Sequence, residues 1–181
     1  MKGGKQKSGG MVMIEMLVTV PVLLIMFLGS VEFGRVMRTY QMMSFLSRDS
    51  SSAAFRDCAF VDEAIDPLAI DTCLQDQYAQ KMSGFINANL PNTSMILSVY
   101  SYNPVTTMIE RIGEYPAGAA YGGGHSSQFQ PDLLGSFPLT AVNNTNRVIA
   151  ISEVFHDYTP NGKSYLGLFS GSPVFYEVTI F

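Results

Sequence analysis

One carboxylate, Glu15, lies inside a run of apolar residues that extends from Met11 to Val31 and contains no other ionisable side chain. A charged side chain costs a few kcal/mol at the centre of a bilayer, so it is seldom found there without a partner. The other interpretation is that Glu15 lies close to the membrane surface and stays hydrated. Gly9 and Gly10 stand directly before the run and end a short, lysine-rich segment without acids. A basic segment ending in glycine and a lone acid five residues later are therefore the features that suggest chemistry at this end of the chain.

The apolar run itself is long enough to cross a membrane as one helix. A helix rises about 1.5 Å per residue, and the hydrocarbon core of a bilayer is about 30 Å thick. Three lysines precede the run, whereas the two arginines that follow it are partly offset by Glu32. Because excess Lys and Arg stay in the cytoplasm, we expect a single-pass helix with a cytoplasmic N-terminus. A cleaved secretory signal peptide is the competing interpretation, but the run is long for one and Gly29-Ser30 is a poor cleavage site.

The chain has two cysteines, Cys58 and Cys73, and both follow the apolar run. If this part of the chain is exported, it enters an oxidising compartment, where such a pair usually forms a disulfide. The bridge would close a loop of about fifteen residues and contribute about 3 kcal/mol. Two unrelated buried thiols are the alternative.

The remaining pattern predicts an α+β fold. Apolar residues continue at helical spacing beyond the membrane run, which predicts one long transmembrane and stalk helix over residues 11–60. A second, short helix begins near Asp71, which we expect to cap it, and ends near Asn89. Four β-prone runs follow over 95–102, 106–112, 147–158 and 173–181, of which the last two alternate like half-buried strands. The domains are then a leader (1–10), the long helix, and a head (61–181) with a small antiparallel sheet and a mobile glycine-rich loop (113–138).

The N-terminal segment resembles a known family through the spacing of several residues. Pro21 comes six residues after Glu15, Gly29 comes eight residues after Pro21, and the run then ends in a short motif. That motif is Glu32-Phe33-Gly34-Arg35. This pattern is similar to the TadE/TadF-like minor pilins, or pseudopilins, of the tight-adherence (Tad, or Flp) type IV pilus system. Met16 departs from the family, which favours phenylalanine there, and Tyr158-Thr159-Pro160 is a weaker resemblance late in the chain.

The resemblance implies a processing site and an assembly residue. In type IV pilins with this class of signal, a prepilin peptidase cuts after glycine on the cytoplasmic face, and glutamate is the fifth residue of the mature chain. Cleavage would then fall between Gly10 and Met11, and the fifth mature residue would be Glu15. The retained carboxylate would pair with the N-terminal amine of a neighbouring subunit and fix the axial register of assembly, since only one offset satisfies both charges.

Enzymatic and nucleic-acid-binding functions find no support in the sequence. His125 and His156 are far apart, and no zinc-protease, hydrolase or phosphate-loop motif occurs, so we expect no enzyme, no cofactor and no metal. The chain has 11 Lys and Arg against 15 Asp and Glu, and three of the lysines lie in the leader. The mature chain is thus acidic, which disfavours nucleic acid as a partner.

Two functional hypotheses follow. The first is a minor pilin that primes or enters a Tad pilus for surface adherence. Its partners are other pilin subunits, the prepilin peptidase and the assembly platform of the bacterial inner membrane. It is anchored there by a single pass, with a periplasmic head, before it is incorporated into an extracellular pilus. The second is an uncleaved, inner-membrane anchored periplasmic binding module of a secretion complex. The mass of the mature N-terminus separates the two.

Overall fold

The chain folds as two helices followed by four strands. A computed structural model describes residues 9–60, 69–88, 90, 92–103, 108–116, 125–129, 148–159 and 173–181. The elements are α1 (Gly9–Asp57), α2 (Ala69–Ala88), β1 (Thr93–Asn103), β2 (Met108–Tyr115), β3 (Val148–Asp157) and β4 (Val174–Ile180). The predicted α+β class, with a long N-terminal helix, a short second helix and a small antiparallel sheet, is therefore confirmed.

Helix α1 has two halves with different surroundings. Every side chain from Met13 to Val31 is exposed in the single chain, and this half is long and apolar enough to cross a membrane. The second half enters the head, where Met43, Leu46 and Ala54 are fully buried. The predicted stalk is thus only partly a projection, because its upper part forms one wall of the core of the head.

The four strands form one antiparallel sheet in the order β2-β1-β3-β4. The long central pair runs in regular register from Thr93 opposite His156 to Ser101 opposite Val148. Strand β4 also pairs regularly with β3, whereas the β1–β2 register shifts by one residue after Val99. Strands β2 and β4 are the edges of this sheet.

One face of the sheet packs against both helices. Met95, Leu97 and Val99 alternate along β1 and meet Ala150 and Val154 of β3 in the main core. Helix α1 lies on β3 and β4, while α2 lies on β2 and β1. The approach of α2 is close at Gly113, where a methyl group would lie 2.5 Å from Cγ2 of Ile70, so this position requires glycine.

The opposite face is also covered at its centre, which corrects the expectation of a half-buried strand for β3, whereas β4 remains partly exposed along its length. Strand β3 is buried on both faces over nearly its whole length. Residues 125–129 lie across this second face, where His125 stacks on Phe155 and Phe129 packs edge-on against Tyr100. An inner strand covered from two sides does not keep the alternation of apolar and polar residues that marks a half-buried strand.

Two further expectations need correction. Strand β2 continues to Tyr115, so the segment predicted as a loop over 113–138 begins in the sheet. Asp71 lies in the first turn of α2 but does not begin it, and its Oδ1 accepts a hydrogen bond from the backbone N–H of Glu114 in β2. Most of the predicted leader, and residues 117–124 and 130–138 of the predicted loop, lie outside the described residues.

Candidate functional site

The predicted processing and register residues lie on the first turns of α1. Gly10 and Met11 are part of the helix, whose described backbone begins at Gly9. Glu15 is exposed, and its backbone carbonyl accepts a hydrogen bond from the hydroxyl of Thr19 at 2.7 Å. Positions 11 and 15 are four residues apart and thus share one face of the helix.

The fold of a single chain does not require the other motif residues in the exposed half of α1. Pro21 lies inside α1, which continues through it. A methyl group at Gly29 or Gly34 would meet nothing within 4 Å among the described residues. Their close approach to another helix, which small residues permit, remains a prediction.

Glu32 is the first residue of α1 that contacts the head. Its Oε1 accepts a hydrogen bond of 2.6 Å from the hydroxyl of Tyr158, which follows β3. Its Oε2 lies 3.4 Å from the guanidinium of Arg35, one turn along the helix. The two sequence fragments that carry the family resemblance, 126 residues apart, thus meet at one carboxylate.

Tyr158 is held in its protonated form at this junction. Burial, followed by the hydrogen bond to Glu32 and the charge of that carboxylate, raises the pKa of Tyr158 to about 12, and Arg35 opposes the shift. The phenol therefore donates to Glu32 at any physiological pH. Because the acceptor is charged, the bond is of the stronger kind.

An aromatic cluster supports Tyr158 from the head side. The ring of Tyr158 lies 5.1 Å from that of Phe175 in β4, and His156 packs against both. Burial lowers the pKa of His156, and its Nδ1 lies 2.9 Å from the hydroxyl of Thr93. His156 thus acts as a neutral hydrogen-bonded ring of the core.

Further polar contacts hold α1 along β4. The hydroxyl of Tyr40 donates to Glu177, which raises the pKa of that tyrosine. About two turns later, the hydroxyl of Ser47 lies 2.9 Å from both the carbonyl of Ser152 and the hydroxyl of Thr179. Near the end of the helix, Phe55 meets Phe181. Helix and strand therefore run alongside each other in the same direction.

A buried carboxylate, Glu153, fixes the segment that covers the second face. Its Oε1 accepts hydrogen bonds from the backbone N–H groups of Gln128 and Phe129 and from the hydroxyl of Tyr176. Its Oε2 accepts a 2.5 Å hydrogen bond from Ser127. Burial and this carboxylate raise the pKa of Tyr176. Glu153 is fully buried, and these four donors offset the cost of removing its charge from water.

The same region holds a serine, a histidine and two acids, but they do not form a nucleophilic relay. Ser127 donates to Glu153, whereas Nε2 of His125 lies 3.2 Å from Asp157. A relay of the hydrolase kind requires the serine to hydrogen bond to the histidine. Each of these side chains instead ties residues 125–129 to the sheet.

The two helices are linked at the far end of the head. Cys58 and Cys73 form a disulfide with a Cα–Cα distance of 5.6 Å, in agreement with the prediction from sequence. Lys81 donates to Asp49 at 2.6 Å, and Gln77 donates to Asp57 at 3.1 Å. These links fasten α2 antiparallel to the upper half of α1.

Sequence reasoning missed two of these contacts. It noted Glu32 and Tyr158 separately, but no local pattern indicates that they meet. Glu153 had a usable signal, because positions 149, 151, 153 and 155 share one face of a strand and all but Glu153 are apolar. An acid in an apolar row predicts buried hydrogen-bond donors opposite it.

Comparison with known proteins supports the resemblance of the N-terminal helix. Residues 10–51 match the family described as TadE-like protein. The match begins at Gly10, includes every motif residue of α1, and covers less than a quarter of the chain. No curated protein and no solved structure matches the chain.

Proposed function

We propose that this chain is a minor pilin, or pseudopilin, of a Tad type IV pilus system, which assembles with other subunits for surface adherence. The observation that carries this proposal is the match of residues 10–51 to the TadE-like family. That segment holds the glycine–methionine bond of the expected cleavage site and the exposed apolar helix. It ends within the part of α1 that is buried in the head.

In this proposal the chain is an inner-membrane protein with its N-terminus in the cytoplasm and its head in the periplasm. The lysines of the leader favour that orientation. The Cys58–Cys73 bridge fits an oxidising compartment for the head. A prepilin peptidase removes residues 1–10, and the assembly platform then receives the mature subunit.

Glu15 has the role of fixing register. Cleavage leaves an ammonium at Met11, and this charge is as costly in lipid as the carboxylate. Pairing the amine of one subunit with Glu15 of the next offsets part of both costs. Because the exposed half of α1 has no contact with the described part of the head, the pair acts on assembly and not on the folding of the head.

The mass of the N-terminus tests the processing step. Protein purified from membranes of the native host should begin at Met11, and Gly10→Phe should retain residues 1–10, because the peptidase requires a small residue before the bond. Gly9→Phe is the matched control and should be cut. Wild-type protein that always keeps residues 1–10 would contradict the proposal and favour the uncleaved periplasmic binding module.

Crosslinking to other pilus components tests the role of Glu15. Glu15→Ala should be inserted in the membrane at least as well as wild type, since removal of an acid from a membrane helix is favourable by about 2–3 kcal/mol. It should nevertheless lose its crosslinks, while Glu15→Asp keeps part of them. Normal crosslinking of Glu15→Ala at equal membrane levels would show that Glu15 is only an interfacial residue.

A further inference from the structure

The membrane helix and the head follow each other without a spacer. The exposed apolar half of α1 ends at Val31, and the next residue, Glu32, already accepts the hydrogen bond of Tyr158. A helix rises about 1.5 Å per residue, so the head begins within one residue of the end of the hydrocarbon span. A flexible stalk that lifts the head from a bilayer is absent from this part of the chain.

The contacts along α1 show which end of the sheet faces the membrane. Tyr40 and Ser47 contact successively later residues of β4, and Phe55 contacts Phe181 directly after it, so β4 runs away from Glu32. The end of β3 and the start of β4 therefore lie nearest to the membrane. Here Tyr158 N–H donates to the carbonyl of Pro173, and Val174 lies opposite Asp157. We call the exposed residues Phe33, Thr159, Pro173 and Val174 the proximal rim.

The proximal rim has the composition of a membrane interface. Phe33 is 65% exposed and Val174 is 46% exposed, although neither faces a partner in the described part of the head. Tyr158 itself is buried, and it supports the rim from inside through its hydrogen bond to Glu32. Arg35 and Arg38 are exposed on α1, about 6 and 10 Å beyond Val31. The polar zone of one leaflet is about 5–8 Å deep, so it reaches both the rim and Arg35, and the long side chain of Arg38 can extend back into it.

We propose that the proximal rim is a lipid-contacting surface, on which the head rests against the phospholipid headgroups of the membrane that α1 spans. Phe33 and Val174 insert into the interfacial zone, and Arg35 and Arg38 attract headgroup phosphates. The Glu32–Tyr158 hydrogen bond holds the rim at that depth. The proposal rests on the membrane-spanning role of α1, and it adds a defined contact between the head and lipid.

The absence of tryptophan from the chain permits a direct depth measurement. Full-length protein with a single Val174→Trp substitution is reconstituted into vesicles whose lipids carry bromine near the headgroup or near the end of the acyl chain. Val178→Trp is the matched control, because it lies on the same face of the same strand about 13 Å further from the membrane. Leu24→Trp reports on the membrane helix.

Shallow bromine should reduce the emission of Val174→Trp by about half and leave Val178→Trp unchanged, and deep bromine should quench Leu24→Trp. If Val174→Trp is quenched no more than Val178→Trp while Leu24→Trp is quenched, the head stands off the bilayer and the proposal is wrong. Unquenched Leu24→Trp would overturn both this proposal and the membrane-spanning role on which it rests.

A second measurement addresses the arginines. Added to Val174→Trp, Arg38→Gln should reduce the extra quenching that phosphatidylglycerol gives over phosphatidylcholine, whereas Arg48→Gln, about 25 Å from Val31 along the helix, should not. Arg38 is chosen because its loss leaves the Glu32, Arg35 and Tyr158 contacts in place. Equal behaviour of the two glutamine variants would contradict the contact between arginine and headgroup.

Discussion

Residues 13–31 lie in the first half of α1, and residues 43–58 lie in its second half and the turn that follows. The apolar side chains of these two regions nevertheless have different surroundings. Leu24 in the first region is 56% exposed, whereas Leu46 in the second is fully buried against the sheet. In the proposed function the first region is covered by a bilayer, whereas the second is covered by the sheet of the head. Apolar residues of one helix can therefore contribute to assembly at one end and to the stability of the head at the other. The same substitution, made in each half, should separate these two roles.

The largest difference should appear between Leu46→Ala and Leu24→Ala. Truncation of Leu46 leaves a cavity in the core and should lower the free energy of unfolding of the head by about 2–5 kcal/mol. Leu24→Ala creates no cavity in the head and should leave that quantity unchanged. Urea unfolding of the full chain in detergent micelles, followed by the near-ultraviolet circular dichroism of tyrosine, measures both. Equal losses would show that the two halves of α1 are not energetically separate.

Removal of the disulfide should lower the stability of the head and leave the exposed half of α1 unchanged. Replacing Cys58 and Cys73 together with serine should cost the head about 3 kcal/mol, since the unfolded chain regains the freedom of a loop of about fifteen residues. The wild type treated with a reductant is the control and should lose a similar amount. Two thiols that alkylate freely in unreduced wild-type protein would contradict the bridge.

The two halves of α1 differ in how much of their structure could be predicted from the sequence. The exposed half of α1 could be predicted as a long apolar helix, because its apolar run is a local feature. The roles of Glu15 and of the glycines stay predictions. The order of helices and strands was also predictable from periodicity. The buried half was not predictable in the same detail, because its determinants are contacts between distant residues, such as Ser47 with Thr179.

Where prediction from sequence was wrong, a tertiary contact had replaced a local pattern. Asp71 was predicted to cap α2, but it lies inside the first turn and accepts a hydrogen bond from β2. Strand β3 was predicted to have one solvated face, but residues 125–129 cover that face. Gly113 was assigned to a loop because it is a glycine in a glycine-rich segment, whereas the close approach of Ile70 is the physical reason for it.

The covering segment provides a smaller test of the head region. Glu153→Gln keeps one acceptor oxygen but loses the charge that strengthens the four hydrogen bonds, so it should cost about 1–3 kcal/mol. Hydrogen exchange of the Gln128 and Phe129 amides should then accelerate roughly tenfold or more. Asp76→Asn, on the exposed face of α2, is the matched control and should change neither quantity. Unaltered exchange at both amides would show that Glu153 does not hold the segment.

The smallest expected effect concerns Tyr158, which lies at the boundary between the two halves of α1. Tyr158→Phe removes the hydroxyl and keeps the ring contact with Phe175. Water can reach the partly exposed Glu32, so the free energy of unfolding should fall by only about 1 kcal/mol near neutral pH.

The folded state raises the pKa of Tyr158 from 10.0 to about 12 and so binds its proton more tightly than the unfolded state does. The contribution of the hydroxyl is therefore complete below pH 10 and is lost as the pH rises from 10 towards 12. Other tyrosines with raised pKa values are present in both proteins, so they cancel in the difference. The difference in unfolding free energy between wild type and Tyr158→Phe should accordingly shrink across that interval, and Glu32→Gln, which keeps an acceptor but removes the charge, should weaken the same dependence. A difference that stays constant up to pH 12 would mean that neither burial nor Glu32 raises the pKa of Tyr158 in the folded state. A dependence that persists unchanged in Glu32→Gln would mean that burial alone raises it.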